Sequence, residues 1–127
     1  MFSILRADKG NNPASKLLPA AAGTYKVGEA AVLTGGLITR VSGSTKPTYV
    51  TAGAGTLASG DPISVNPIYA DMEFETELVG SAALKVGEKV TISSTFDSIT
   101  TTTTNGVATI VDIAGTASGS KVAVKFV

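Results

Sequence analysis

Apolar and polar residues alternate with a period of two in the clearest stretches of the chain. Over residues 71–78, acidic residues at 71, 73, 75 and 77 alternate with Met72, Phe74, Thr76 and Leu78. Near the end, Val122, Val124 and Phe126 would share one face, with Lys121 and Lys125 on the other. This period is typical of β-strands with one buried face. We predict that these two strands pair, so that the lysines lie near two of Glu73, Glu75 and Glu77.

Short apolar runs separated by glycine-rich turns occupy the first half of the chain. The runs are residues 32–33, 37–41, 48–51 and 63–68. Turn signals 8 to 12 residues apart are typical of a β-sandwich or β-barrel. Further on, Asn105-Gly106 joins residues 99–104 to residues 107–113, and the dipeptide predicts a hairpin with a type I′ turn. The sequence therefore predicts an all-β, antiparallel barrel or sandwich.

One phrase occurs twice and divides the chain into two similar halves. KVGE stands at residues 26–29 and again at residues 85–88, and 85 − 26 gives an offset of 59. Weaker matches follow in the same order at offsets of 59 to 61. A fixed offset is the sequence signature of an internal repeat. We therefore predict a β domain over residues 26–127, built from tandem half-repeats at 26–68 and 71–127.

Residues 1–25 lie outside this pattern, because Gly10, Pro13 and Pro19 interrupt it. We predict an extended N-terminal arm, and two interpretations of it stay open. It is either a first strand or lid on the same core, or an arm that docks on a neighbouring subunit. The second alternative makes the large side chains of this segment candidate partner contacts. These candidates are Phe2, Ile4, Leu5, Arg6, Leu17 and Leu18.

Composition excludes several classes of site. Ten basic residues balance ten acidic ones, whereas a general nucleic-acid binder needs a basic excess. The chain has no cysteine and no histidine, so thiolate sites and histidine-based catalysis or metal binding are excluded. No apolar run approaches the ~18 residues of a membrane helix. We expect no catalytic residue, cofactor or metal, and synthesis in the cytosol.

Three patterns suggest chemistry, and each has a simpler structural interpretation. The acidic row at 71–77 could bind a basic partner surface or a cation, but it also fits the solvent face of a strand. Residues 53–58 match GxGxx(G/A), and residues 118–121 match SxxK, yet neither leads into a helix. Tyr25, Tyr49 and Tyr69 could form a sugar platform or an interface, although core-edge positions also fit.

Several segments resemble small proteins that are encoded beside the major capsid protein in tailed bacteriophages. The segments are LLPA at 17–20, TYKVGEA at 24–30, LTGGLIT at 33–39, KPTY at 46–49, EFETEL at 73–78 and LKVGE at 84–88. The resemblance extends from about residue 12 to the end and carries structural motifs only.

The resemblance implies a head decoration, or cement, protein. Such a protein is β-rich, non-enzymatic, and binds the major capsid protein on the outer surface of the expanded virion head. The resemblance also implies self-association, with a trimer as one arrangement, and use of the N-terminal arm. An alternative from another class is a glycan-binding or adhesin-like β module on a virion or secreted enzyme, which exposed aromatic side chains along a groove would favour.

Overall fold

The computed structural model describes residues 1–7 and 15–127. Within these ranges the regular elements are all β-strands. The strands are β1 (Ser3–Arg6), β2 (Lys16–Pro19), β3 (Gly23–Tyr25), β4 (Ala30–Thr34), β5 (Leu37–Arg40), β6 (Tyr49–Thr51), β7 (Gly55–Leu57), β8 (Pro62–Pro67), β9 (Glu73–Glu77), β10 (Lys89–Val90), β11 (Ala108–Ile113) and β12 (Lys121–Lys125). No helix in the described ranges is long and apolar enough to cross a membrane.

The strands form two five-stranded antiparallel sheets and one small pair. Sheet A has the order β1-β9-β12-β11-β10, and sheet B has the order β2-β8-β6-β4-β5. Strands β3 and β7 form the pair. The sheets are arranged like a sandwich and neither closes into a barrel within the described residues. The predicted all-β antiparallel fold is confirmed.

Two apolar clusters hold the layers together. The larger one combines sheet A residues such as Phe74 and Ile110 with Ala30 and Val50 of sheet B, so it joins the two sheets. The smaller cluster lies on the opposite face of sheet B; its buried members are Ala20, Tyr25, Ala31, Ile38, Ile63 and Val65. Neighbouring residues of β4 thus enter different clusters, because successive side chains of a strand point to opposite faces.

The pairing of the acidic and C-terminal strands is confirmed. Strand β9 pairs antiparallel with β12, with Lys121 opposite Glu77. The Lys121 ammonium lies 2.9 Å from the Glu77 carboxylate, as the alternation predicted. Glu73, in the same acidic row, forms an ion pair with Arg6 of β1 at 3.4 Å.

The predicted hairpin around Asn105-Gly106 is wrong in its first arm. Strand β11 pairs with β10 and β12, whereas residue Ile99 contributes only isolated bridges, to Leu78 and Ile92. Asn105 has a positive φ of 54°, but Gly106 does not, so the turn is not type I′. A Cβ at Gly106 would lie 2.3 Å from the Lys89 carbonyl carbon, so close backbone approach explains this glycine.

The two KVGE phrases form the same turn. The Lys26 N–H donates to the Glu29 carboxylate at 2.7 Å, and the Lys85 N–H donates to the Glu88 carboxylate at 2.8 Å. The glycine of each phrase has a positive φ, 86° at Gly28 and 94° at Gly87, a region that glycine occupies without strain. Each turn leads directly into a strand, β4 or β10.

The two sheets share one plan of strand order and hydrogen bonding. Four neighbouring strands of each sheet correspond in order: sheet B has β2-β8-β6-β4 where sheet A has β9-β12-β11-β10. The Gly28 N–H donates to the Thr51 carbonyl and the Gly87 N–H to the Ile110 carbonyl, each at 2.8 Å. Both partners shift by 59, since 87 − 28 and 110 − 51 give the same offset.

The same plan extends to the ends of the strands and into the predicted arm. A parallel bridge joins Ala20, just after β2, to Ile38 of β5, and at the corresponding place beside sheet A one joins Leu78, just after β9, to Ile99. Sheet B therefore begins at β2, ten residues before the predicted start of the first half-repeat at residue 26. The described part of the segment 1–25 belongs to β1, β2 and β3, in agreement with the first-strand alternative. The rest of that segment, 8–14, lies outside the described residues.

Candidate partner-binding surface

Strand β1 lies at the edge of sheet A and carries one exposed leucine. It pairs antiparallel with β9, with Ser3 opposite Glu75 and Ile4 opposite Phe74. The register shifts between Ile4 and Arg6, so Leu5 falls at an irregularity in the ladder. Its side chain is 52% exposed. An edge strand with an exposed apolar side chain is a ready point of contact for another chain.

Phe2 anchors β1 to the body of the protein. Its ring is 2% exposed and lies edge-on to the Phe126 ring, with 5.2 Å between the centroids. The Phe2 N–H donates to the Gly28 carbonyl at 2.9 Å. Ile4 is half-buried against the same cluster. Phe2, which immediately precedes β1, is therefore a core residue of its own chain, and burial of its large aromatic ring stabilises the fold.

Arg6 and Leu5 remain accessible beside this anchor. The Arg6 guanidinium lies 3.4 Å from the Glu73 carboxylate, while 74% of its side chain stays exposed. An ion pair of this exposure contributes little to stability, about 0–1 kcal/mol. Arg6 can therefore exchange Glu73 for another acidic group at small cost.

The other two predicted contacts lie on β2, the edge strand of sheet B. Leu18 is half-buried against the smaller cluster, whereas Leu17 is 69% exposed. The structure thus divides the six predicted residues between the edges of two different sheets. Three of them, Leu5, Arg6 and Leu17, present most of their side chains to solvent.

A shallow groove of about 140 Å³ runs beside Leu5 on sheet A. Four strands and the turn after β11 line it. The walls are mostly apolar, and three of the strands, β9, β11 and β12, each contribute one charged group. The lining residues are Leu5, Glu75, Asp112, Ile113, Ala114, Lys121, Val122 and Ala123. The sequence prediction missed Asp112 and Ile113, although their position beside β12 follows from pairing β11 with the C-terminal strand.

Electrostatics at one end of this groove are set by Glu77 and Lys121. A hydrogen bond from the Lys121 ammonium, reinforced by its charge, lowers the pKa of Glu77. The same hydrogen bond, with the Glu77 charge and a smaller contribution from Glu75, raises the pKa of Lys121. Both side chains are a little over half exposed to solvent, so the pair orders the surface more than it stabilises the fold.

The acidic row does not converge on one point. Glu73 contacts Arg6, Glu77 contacts Lys121, and Glu75 lines the groove. Within residues 1–7 and 15–127, no three acidic side chains are grouped as a metal ion would require. The arrangement is that of a charged sheet face with alternating partners, which can bind polar or charged groups of another molecule.

The tyrosines occupy three different environments. Tyr25 is buried, its hydroxyl donates to the Ala21 carbonyl at 2.7 Å, and burial raises the pKa of its phenol. Tyr49 is half-buried and Tyr69 is 54% exposed. None of the three lines the groove beside Leu5. The aromatic platform that the glycan-binding alternative requires is therefore not assembled there.

The two short motifs are parts of β-structure. In the GxGxx(G/A) stretch, Gly55–Leu57 forms β7, which pairs with β3. In the SxxK stretch, Ser118 belongs to the turn that precedes β12, and its backbone N–H donates to the Ser81 hydroxyl at 3.1 Å. Neither stretch begins a helix, the element on which both chemical motifs depend.

No protein-family model matches the chain, and no curated protein matches it.

Proposed function

We propose that the protein is a decoration protein of a tailed-phage head, which binds the outside of the mature lattice and stabilises it without catalysis. The observation that carries the proposal is the pair of exposed leucines, Leu5 and Leu17, on the edge strands of two sheets with buried cores. Rigid edges with apolar side chains are suited to adhesion, because little conformational entropy is lost on binding. The sequence resemblance to capsid-associated proteins supplies the partner, the major capsid protein.

We further infer that the body arose by tandem duplication. The shared strand order, the two KVGE turns and the paired hydrogen bonds at an offset of 59 support this inference. A body with this plan offers edge strands at two different places on one molecule, β1 in sheet A and β2 in sheet B. Such a molecule could contact two neighbouring capsid subunits, or a capsid subunit and a second copy in a trimer.

Lattice binding would act additively on the shell. Each copy that binds the expanded lattice, but not its precursor, lowers the free energy of the expanded state through mass action. Many weak contacts per shell are then sufficient, which fits the small area of the exposed edges. In this proposal the protein is made in the host cytoplasm and resides on the outer capsid surface.

Co-sedimentation of the purified protein with expanded heads of the phage that encodes it tests the proposal. Point variants replace a truncation of residues 1–24, because that truncation removes β1, β2 and the buried Phe2. We expect wild-type protein to sediment with the heads and Leu5→Asp/Leu17→Asp to remain in the supernatant. A Val86→Asp variant is the matched control, since Val86 is 62% exposed and lies on the turn before β10 rather than on β1 or β2.

Failure to bind heads at saturating concentration would overturn the proposal. Binding of the wild-type protein to a glycan array, abolished by Tyr69→Ala, would instead favour the alternative of a sugar-binding module.

A further inference from the structure

The correspondence between the two sheets reveals a place for a strand that sheet B lacks. In sheet A, β9 lies between β12 and the additional strand β1. In sheet B, β2 corresponds to β9 and pairs with β8. On its other side, in the described part of the chain, the only strand contact is the parallel bridge from Ala20, just after β2, to Ile38 of β5. Sheet A therefore provides a template for what could bind along β2.

The template can be transferred residue by residue. Leu18 pairs with Ile63 in sheet B as Thr76 pairs with Val122 in sheet A. The offset on this edge strand is thus 76 − 18, or 58, while the partner strand keeps 122 − 63, or 59. Subtracting 58 places Leu17 at the position of Glu75 and Lys16 at the position of Phe74.

The part of β2 that has no neighbouring strand on its outer side, among the described residues, corresponds to the part of β9 that pairs with β1. Strand β1 pairs with Glu73, Phe74 and Glu75 of β9. Just after β9, on the same side, Leu78 forms a bridge to Ile99. On β2 the corresponding bridge joins Ala20 to Ile38. Among residues 1–7 and 15–127, none pairs with the outer side of residues 15–17, and the 69% exposure of Leu17 agrees with this.

The geometry points to β2 as a strand-addition site, at which an extended acidic segment of a partner protein pairs antiparallel with residues 15–17. Main-chain hydrogen bonds along an open edge supply affinity, and alternate side chains supply specificity. In the template, apolar Ile4 lies opposite apolar Phe74. On β2 the residue opposite the incoming strand is Lys16, which is exposed, so the complementary residue is Asp or Glu. The residue opposite Leu17 would be apolar.

Charge complementarity also decides against a second copy of this chain as the occupant. Strand β1, which fits this kind of edge, consists of Ser3-Ile4-Leu5-Arg6 and contains no acidic residue. In the template register it would place Ile4 opposite Lys16 and add a second positive charge, Arg6, beside it. A partner strand with a carboxylate at the position of Ile4 is therefore favoured over β1 of another copy.

The site does not depend on the identity of the partner, so it goes beyond the proposed function. It can be tested with two synthetic peptides of residues 1–7, both carrying Ser3→Val. One peptide also carries Ile4→Glu and the other Ile4→Lys. Binding is measured by amide chemical shifts of isotope-labelled full-length protein, which show where each peptide binds and how tightly.

We expect the Glu peptide to shift the amides of residues 15–17 and to bind about two- to fivefold more tightly than the Lys peptide, the range for one cross-strand ion pair. Lys16→Glu in the protein should reverse this preference. Lys46→Glu, which makes the same charge change at another exposed position, should leave it unchanged.

Shifts at β9 instead, from displacement of β1, would overturn the inference, as would absence of binding or an unchanged preference in Lys16→Glu. The two proposals fail separately. Peptide binding at β2 without head binding would contradict only the decoration function, and head binding without peptide binding would contradict only the strand-addition site.

Discussion

Glu29 and Glu88 occupy equivalent places in the two KVGE turns, and each carboxylate accepts a hydrogen bond from the backbone N–H three residues earlier. The distances are 2.7 Å to Lys26 and 2.8 Å to Lys85. Their surroundings differ, because Glu29 is 3% exposed and also lies 3.7 Å from Arg40, whereas Glu88 is half-buried. The same local turn has thus been placed in two environments.

This difference predicts unequal costs for the same substitution. Glu29→Ala leaves the Lys26 N–H and the Arg40 guanidinium without their buried acceptor, so we expect a loss of about 2–4 kcal/mol in the free energy of unfolding. Glu88→Ala removes one partly exposed hydrogen bond and should cost about 0.5–1.5 kcal/mol. Urea unfolding followed by circular dichroism measures both. Equal losses would contradict the assigned environments.

Gly106 should tolerate no side chain. Gly106→Ala places a Cβ 2.3 Å from the Lys89 carbonyl carbon, and neither backbone can move without disturbing the pairing of β10 with β11. We expect a loss of about 1–3 kcal/mol, the usual cost of overpacking. Gly53→Ala is the control, because its nearest backbone contact is 3.4 Å and neither glycine has a positive φ. A control that loses as much stability as Gly106→Ala would refute the steric explanation.

The Arg40 guanidinium lies between two aromatic rings, Tyr25 and Phe96, that are far apart in the sequence. Its guanidinium carbon is 4.7 Å from the Tyr25 ring centroid and 4.9 Å from that of Phe96. A double-mutant cycle of Arg40→Met and Phe96→Ala should give a coupling energy of about 0.5–2 kcal/mol, as expected for a partly desolvated cation–π contact. Thermal or urea unfolding of the four proteins measures it, and additive losses would show that the contact contributes nothing.

The Glu77–Lys121 pair predicts a specific pH dependence. Because the pKa of Glu77 is lowered in the folded protein, its contribution to stability is present above the unfolded pKa of 4.5 and is lost as pH falls through the folded value. The raised pKa of Lys121 acts at the opposite end, where stability is lost as pH rises above 10.5. The NMR titration of Glu77 should have a midpoint below 4.5, and Lys121→Met should move it upward. An unchanged midpoint in that variant would exclude Lys121 as the cause.

Local alternation and repetition were sufficient to predict much of this fold. The pairing of the acidic strand with the C-terminal strand follows from the sequence, because the solvent-facing side of one strand carries acidic residues and that of the other carries lysines. The KVGE turns were recognised from four residues, since the glycine and the glutamate hydrogen bond are both local features. The sequence does not reveal that sheet B includes β2, because β2, with the exposed residues Lys16, Leu17 and Pro19, lacks the alternation of a half-buried strand.

Features that depend on distant partners could not be predicted in this way. Asn105-Gly106 carries the local signature of a hairpin, but the position of Gly106 is decided by the backbone at Lys89. Phe2 looked like a free contact because its partner, Phe126, is at the other end of the chain. The groove beside Leu5 combines residues of four strands, and only the completed register brings Leu5, Glu75 and Ile113 together.

Thermal melting of expanded and unexpanded heads, with and without added protein, tests the central claim most directly. Because a ligand stabilises the state to which it binds, saturating wild-type protein should raise the melting temperature of expanded heads and leave that of unexpanded heads unchanged. Leu5→Asp/Leu17→Asp should produce no shift, and the Val86→Asp control should behave like wild type. Identical melting of expanded heads with and without the wild-type protein would contradict the account.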